Sequence, residues 1–330
     1  MAQQTSRSML RAVRFCLMLE GQEGVTWDEW VGMAQTAERL GFEAIFTSDH
    51  YLSVKGSQDR GSSDAWTNLA GLAAVTSTIR LGTLVSPVTF RPPAILAKAA
   101  TTVDQISGGR VELGMGAGWW EEEHTTHGFA FPPIPERFEM LEEQLAVVQG
   151  LLTEERFKFQ GKHYQLTEGS FWPKPWQRPR MPIILGGEKV GPWMQRLIAS
   201  YADEFNTVGG SPEDVHARFE RARGAVGSAG RAQETLTTSF MTWCFVGRTE
   251  DEWRDRVERA RQGDPKAGPF ESYLADLEVD CIVGTPDRAV ARLRAYADAG
   301  VQRIMLNHEL FDDLDMLEVL AEHICPWVSS

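Results

Sequence analysis

Short apolar runs rich in Val, Ile, Phe and Leu recur along the chain, separated by longer stretches in which apolar residues return every three or four positions. That alternation is the pattern of parallel strands joined by crossover helices. The runs predict strands at 13–19, 44–47, 80–85, 111–114, 182–185, 204–208, 237–245 and 303–306. Eight strands in one repeating βα order point to a closed α/β barrel of the TIM (β/α)8 class. Helix starts agree: Thr26-Trp-Asp-Glu29 and Thr249-Glu-Asp-Glu252 have the spacing of capping boxes, and Ser211-Pro212 and Thr285-Pro286 set a cap residue before a helix-opening proline. Gly41 and Gly300 close amphipathic segments immediately before strands.

The densest stretch is Ile106-Ser-Gly-Gly-Arg-Val-Glu-Leu-Gly-Met-Gly-Ala-Gly-Trp-Trp-Glu-Glu-Glu-His124, where a helix end, a tight turn, a strand and a glycine-lined loop follow without spare residues. Gly108 and Gly109 suit the positive φ that ends a helix, and Gly116 and Gly118 would let backbone amides approach a large, anionic ligand. Segments 51–63, 119–135, 153–180 and 262–283 exceed ordinary barrel connections and are expected to shape the active site. Within the third, 157–166 reads as a hairpin, a lid or edge insertion within one barrel domain spanning 13–330.

Composition narrows the function. A net charge of -13 over 330 residues argues against nucleic acid or an anionic membrane as partner. Cys16, Cys244, Cys281 and Cys325 lack the paired spacing of metal sites or disulfide frameworks and read as buried filler. Residues 1–12 hold no apolar run long enough for a secretion signal or a span, so a disordered extension on a cytoplasmic enzyme is expected.

Barrel chemistry sits where strands run into their βα loops. Those positions hold Glu20, Ser48, Asp49 and His50, Ser86, the stretch 116–119, Gly186 and Gly187, Asn206, Trp243, Asn307 and His308. Asp49-His50 stands out, because a carboxylate beside an imidazole can fix its tautomer or raise its pKa; equally, His50 could cap the next element or bond a loop. Leu84, Val85 and Ser86 offer a backbone wall for a flat ring, or simply a buried strand with a proline stop. The glycines of 114–118 have GxGxG spacing and run into Trp119-Trp120 and acids, which rules out a Rossmann fingerprint. His124-Thr-Thr-His127 lacks the i, i+4 spacing and intervening Glu base of a helical zinc pair, and no metal is expected. The run 121–123 reads as a helix start or solvated face, with Glu123 the acid to single out. Trp119, Trp120, Trp172, Trp176 and Trp243 fall on loops or strand ends, where their rings either pack the fold or line an apolar pocket.

With these residues placed, the chain resembles the luciferase-like monooxygenase superfamily, and within it the branch that uses the deazaflavin coenzyme F420. The resemblance spans nearly the whole chain. It rests on Arg39-Leu-Gly-Phe-Glu-Ala-Ile-Phe-Thr-Ser-Asp-His50, Thr78-Ile-Arg-Leu-Gly-Thr-Leu-Val-Ser-Pro87, the stretch 106–119, Arg137-Phe-Glu-Met-Leu-Glu-Glu-Gln-Leu145 and Pro173-Lys-Pro-Trp-Gln-Arg-Pro-Arg-Met-Pro-Ile-Ile-Leu-Gly-Gly187. It implies a luciferase-like TIM barrel with loop insertions, His50 near the reactive face of a flavin or deazaflavin ring, and a non-proline cis peptide within Leu84 to Ser86. Cofactor contacts would come from Leu84, Val85, Ser86, Gly116, Ala117, Gly118, Trp119, Gly186, Gly187, Glu188 and Lys189, and the substrate pocket from Glu20, Trp120 and Trp243. Val54 and Trp119 stand where sugar-phosphate dehydrogenases of this branch carry Trp and Glu, which argues against that substrate. Gly186-Gly187-Glu188-Lys189-Val190 departs from the longer glycine run of many relatives, so the anion cradle would be smaller or supplemented by Lys189.

The resulting expectation is an oxidoreductase passing a hydride between F420 and a small organic, apolar or aromatic substrate, with His50 and Asp49 catalytic. The alternatives are an FMN-dependent monooxygenase, a non-catalytic flavin-binding barrel and a metal-dependent hydrolase using His124 and His127. The Ala- and Leu-rich helices expected at 64–77 and 93–106 offer few charges on any face, which predicts a homodimer through them.

Overall fold

The structure, a computed structural model, describes residues 13–56 and 59–328. The expected extension 1–12 lies outside the described residues. Eight parallel strands close a barrel: β1 (Arg14–Leu19), β2 (Ala44–Thr47), β3 (Arg80–Thr83), β4 (Val111–Gly116), β5 (Ile183–Gly186), β6 (Glu204–Val208), β7 (Thr237–Val246) and β8 (Arg303–Asn307). Each pairs with its sequence neighbours, and β8 pairs with β1, as when Phe15 stands opposite Ile304. The eight expected strands are all present with their ends shifted by up to two residues.

Strand alternation explains both faces. Phe15, Leu17, Leu19, Ile45, Leu81, Leu113, Ile183, Leu185, Phe205, Phe240, Ile304 and Leu306 point outward into the main apolar core beneath the helices. The intervening positions fill the lumen, where Cys16, Met18, Ala44, Phe46, Ile184 and Met305 pack with Leu84 and Met241. Toward the N-terminal end of the strands the lumen changes to charge: Arg303 binds Glu112 at 2.7 Å, Glu204 at 2.5 Å and Glu43 at 2.9 Å. The lumen is therefore packed, and the C-terminal mouth, where barrel enzymes carry their chemistry, is the place to look for a site.

Helices α1 (Trp27–Arg39), α2 (Ala65–Val75), α3 (Pro93–Ser107), α4 (Glu121–His127), α5 (Ile134–Thr153), α6 (Pro192–Tyr201), α7 (Pro212–Ser228), α8 (Glu250–Gln262), α9 (Phe270–Asp280) and α10 (Pro286–Asp298) surround the strands. Thr26 forms a full capping box with Glu29, as does Ser211 with Asp214. Thr249 makes half of one, because Glu252 accepts from Arg248 N instead of from the cap, and the Thr285 side chain makes no cap bond.

Three expectations change. The third strand ends at Thr83; after a bend, Ser86–Pro87 pairs beside Met115 and Gly116. Segment 262–283 is no loop but contains α9 and a short strand, Ile282–Gly284, that pairs with the upper half of β7. Segment 119–135 likewise contains α4. The hairpin is present, with Phe157–Gln160 antiparallel to Gln165–Gly169. Among the described residues, no helix is long and apolar enough to cross a membrane.

Candidate active site

At the end of β2 the chain presents Ser48, Asp49 and His50, and neighbours along extended chain face opposite ways. Asp49 is buried away from the imidazole, and its Oδ2 accepts hydrogen bonds from Ser86 Oγ at 2.6 Å and Arg91 at 2.5 Å. Trp66 donates its ring N–H to Ser86 at 3.0 Å, and Arg91 also donates to Tyr51 Oη at 2.6 Å and to Asp64. Burial holds the Asp49 pKa above the ordinary range despite the Arg91 charge and the Ser86 hydroxyl. Asp49 therefore does not pair with His50 as its adjacency suggested; it ties the β2 rim to the β3 bend.

The carboxylate that meets the imidazole is Glu123, 73 positions further along. His50 Nδ1 lies 2.9 Å from Glu123 Oε2, while the other carboxylate oxygen accepts the Tyr51 backbone N–H. Glu123 is 1% exposed, so it is neither a solvated acid nor a simple helix-start residue. Burial works against charging His50, but the hydrogen bond and charge of Glu123, with Glu20 and Asp49 behind, outweigh it and raise the pKa above its ordinary value. His50 Nε2 has no hydrogen-bond partner among the described residues. Trp119 and Trp120 flank the ring edge-on at 5.7 and 6.1 Å between centroids, and they stack on each other at 5.8 Å. Trp119 remains 61% exposed, an indole face open at the mouth.

Another wall comes from the bend after β3, where the Leu84–Val85 peptide is cis. A Cβ on Gly116 would sit 2.6 Å from Val85 Cγ2, and one on Gly186 would sit 3.1 Å from Val85 Cγ1. Any side chain at the lumen-facing ends of β4 and β5 would displace Val85. Gly116 was expected to admit a ligand's approach to the backbone; instead it admits Val85. Gly118, at φ +76, is packed against Pro87 and Thr89. Ser86, expected in the ring wall, turns its hydroxyl outward to Asp49 and Trp66. Leu84 packs into the lumen, and Ala117 is half-buried beside Gly118.

Around the rest of the mouth, Glu20 accepts from Gln22 at 2.8 Å and from Asn307 at 3.0 Å. The Trp243 ring N–H donates to Glu309 at 2.8 Å, and Lys55 closes on the same carboxylate at 2.7 Å. Gly187 N–H donates to Asn206 O, while Glu188 and Lys189 are exposed at the rim. The two histidines of 124–127 do not converge: His124 bonds Trp120 O and Thr89 Oγ1, each at 2.6 Å, and His127 bonds Glu123 O. Trp172 and Trp176 also lie off the mouth. The Trp172 carbonyl meets Lys98 on α3, and Trp176 N–H bonds Asp104 near the entry to β4. The sequence reading did not include Arg91, Tyr51 or Lys55; an arginine in Phe90-Arg91-Pro92, within an otherwise apolar approach to a helix, was the available signal.

A planar, hydrogen-bonding ring fits these residues. Gly116 and Gly186 let the Val85 side chain seat against the strand ends, which makes this wall apolar. Asn307 Oδ1, buried with no partner among the described residues, and His50 Nε2 supply unused polar contacts.

Comparison with known proteins gives the same picture. The model of the family described as luciferase-like monooxygenase matches residues 13–303. An F420-dependent glucose-6-phosphate dehydrogenase of Nakamurella multipartita is 30% identical over 319 residues, covering 90% of this chain and 91% of its own. An FMNH(2)-dependent dimethylsulfone monooxygenase of Pseudomonas putida is 28% identical over 323 residues, covering 90% and 86%. The solved structure of an F420-dependent secondary alcohol dehydrogenase with an F420-acetone adduct superimposes with a TM-score of 0.81 at 19% identity, over 97% of this chain and 100% of that one, a likeness of fold. By its sequence over nearly its full length, and by the barrel that carries His50 at its mouth, this chain belongs to the luciferase-like monooxygenase family.

Proposed function

We propose that this protein is an oxidoreductase that passes a hydride between coenzyme F420 and a small organic acceptor with an apolar or aromatic body, His50 serving as proton donor or orienting group. The observation that carries this reading is the His50 imidazole at the barrel mouth, held by Glu123 beside two tryptophan rings. F420, when bound, supplies a ring that gives or takes a hydride.

The chain's own residues do the rest. Val85, seated over Gly116 and Gly186 and backed by Leu84, offers the ring an apolar face, with Ala117 and Gly118 continuing it. Gly187, Glu188 and Lys189 form the rim toward a polar tail, where Lys189 supplies an exposed cation. Trp119, Trp120 and Trp243 narrow the mouth and exclude water, while Glu20 and Asn307 line its polar side. Holding two reactants in contact in a water-poor site supplies much of such a rate enhancement. The names of the F420-dependent relatives support the cofactor. Val54 and Trp119 speak against glucose 6-phosphate as substrate.

Anaerobic titration with F420 and with FMN tests the reading, and tight FMN binding without affinity for F420 overturns it. The dimethylsulfone monooxygenase relative favours a second reading, an FMN-dependent monooxygenase. Oxygen consumption coupled to turnover would select it. If His50→Ala leaves every activity unchanged, the protein is a binding barrel. A cytoplasmic homodimer completes the proposal, with exposed Ile95 and Ile106 on α3 and Val75 on α2 at the interface; a monomer by light scattering at micromolar concentration counts against it.

A further inference from the structure

We propose that Glu123 is the positioning residue of the site: it fixes the ring of His50, keeps a proton on Nδ1 and leaves Nε2 as the nitrogen that works at the mouth. Glu123 sits in the first turn of α4, where a carboxylate ordinarily turns back to its own helix end. Here it does not. Its two oxygens reach to the end of β2, one to the Tyr51 N–H and the other to His50 Nδ1 at 2.9 Å. A single buried carboxylate thus grips the ring of one residue and the backbone of the next, which sets the side-chain rotamer and the tautomer together. An ionised carboxylate has no proton to give, so Nδ1 must carry it.

Among the described residues, no other charged group near the ring takes this role. On the β2 rim, Asp49 is occupied by Ser86 and Arg91, and Arg91 is balanced by Asp49 and Asp64. On the β1 rim, Glu20 is engaged by Gln22 and Asn307 and acts on His50 only through its charge. On α4, His124 is bonded at both nitrogens, and His127 bonds the Glu123 carbonyl. The β4 loop contributes only the rings of Trp119 and Trp120. The bond and charge from Glu123 favour the imidazolium against the cost of burial and raise the His50 pKa above its ordinary value.

This inference assigns Glu123 a part in the function proposed above, but the His50–Glu123 pair exists in the protein alone and is tested there. The full-length chain, labelled with 15N at histidine, is titrated by NMR without any cofactor, with His50→Gln identifying the resonance. In the wild type, the neutral ring above its midpoint should carry its proton on Nδ1; a proton on Nε2 overturns the proposal without need of a variant. Glu123→Gln, which keeps an acceptor but removes the charge, should lower the His50 midpoint by more than one pH unit, and an unchanged midpoint also overturns it. Glu123→Asp should recover part of the shift. If the pair behaves this way and F420 still does not bind, the cofactor reading fails and this one stands.

Discussion

Placing a methyl group on Gly116 tests the wall that frames the mouth. A Cβ there would lie 2.6 Å from Val85 Cγ2, about 1 Å inside ordinary carbon contact, so the β3 bend or the end of β4 must move. Overpacking of this kind costs about 1–3 kcal/mol. The geometry also names the remedy, since the next Val85 atom is Cβ at 3.9 Å, an ordinary contact. Val85→Ala alone removes two half-buried methyl groups, a loss of about 1–2 kcal/mol at roughly 0.8 kcal/mol per buried carbon. In the double variant the methyl at 116 occupies space that Val85 has vacated. It should be no less stable than Val85→Ala alone, giving a favourable coupling of about 1–3 kcal/mol. Gly114→Ala should show no such rescue, because its Cβ would collide with the backbone carbonyl of Thr83. Urea unfolding of the four proteins at pH 7, with slopes compared, measures the cycle. Additivity within about 0.5 kcal/mol would refute the idea that these glycines exist to seat Val85.

Two further expectations concern buried charge. Arg303→Met leaves Glu204 without its cation beside Glu112, which keeps only Arg80, and should cost about 3–5 kcal/mol at neutral pH. The deficit should narrow in urea melts below pH 6 as one carboxylate takes up a proton; a deficit independent of pH argues against that origin. His308 is fully buried, donates from Nε2 to Asp313 O at 2.9 Å, and is pushed down to about 4, mainly by burial, with Asp313 opposing. Its folded-state value lies below the unfolded one, so its contribution is complete above about pH 6.5 and is lost as pH falls from there toward about 4. His308→Gln should therefore show a shallower loss of stability across that window, and wild-type and variant curves that run parallel would contradict the sign.

How much of this was legible in the chain depends on distance. The barrel strands could be read because an apolar face on both sides of a parallel sheet writes itself as a local run, and because capping residues such as Thr26 and Ser211 act within one helical turn. Helix α9 was missed because Gly263, Pro265, Gly268 and Pro269 crowd ahead of it and disguise the periodic stretch that follows. His50 could be located from its place at a strand end. Its partner could not: adjacency proposed Asp49, but extended chain turns neighbouring side chains to opposite faces, and closing the barrel brought Glu123 across from α4 instead.

The sequence by itself therefore determined the fold class, the strand order and the residues available at the mouth, since these rest on interactions between positions a few residues apart. Only the tertiary structure decided which carboxylate holds the imidazole, why Gly116 and Gly186 must lack side chains, and which tryptophans face the site. Those are contacts between segments that meet only after the sheet has curved and closed, and no local periodicity encodes them.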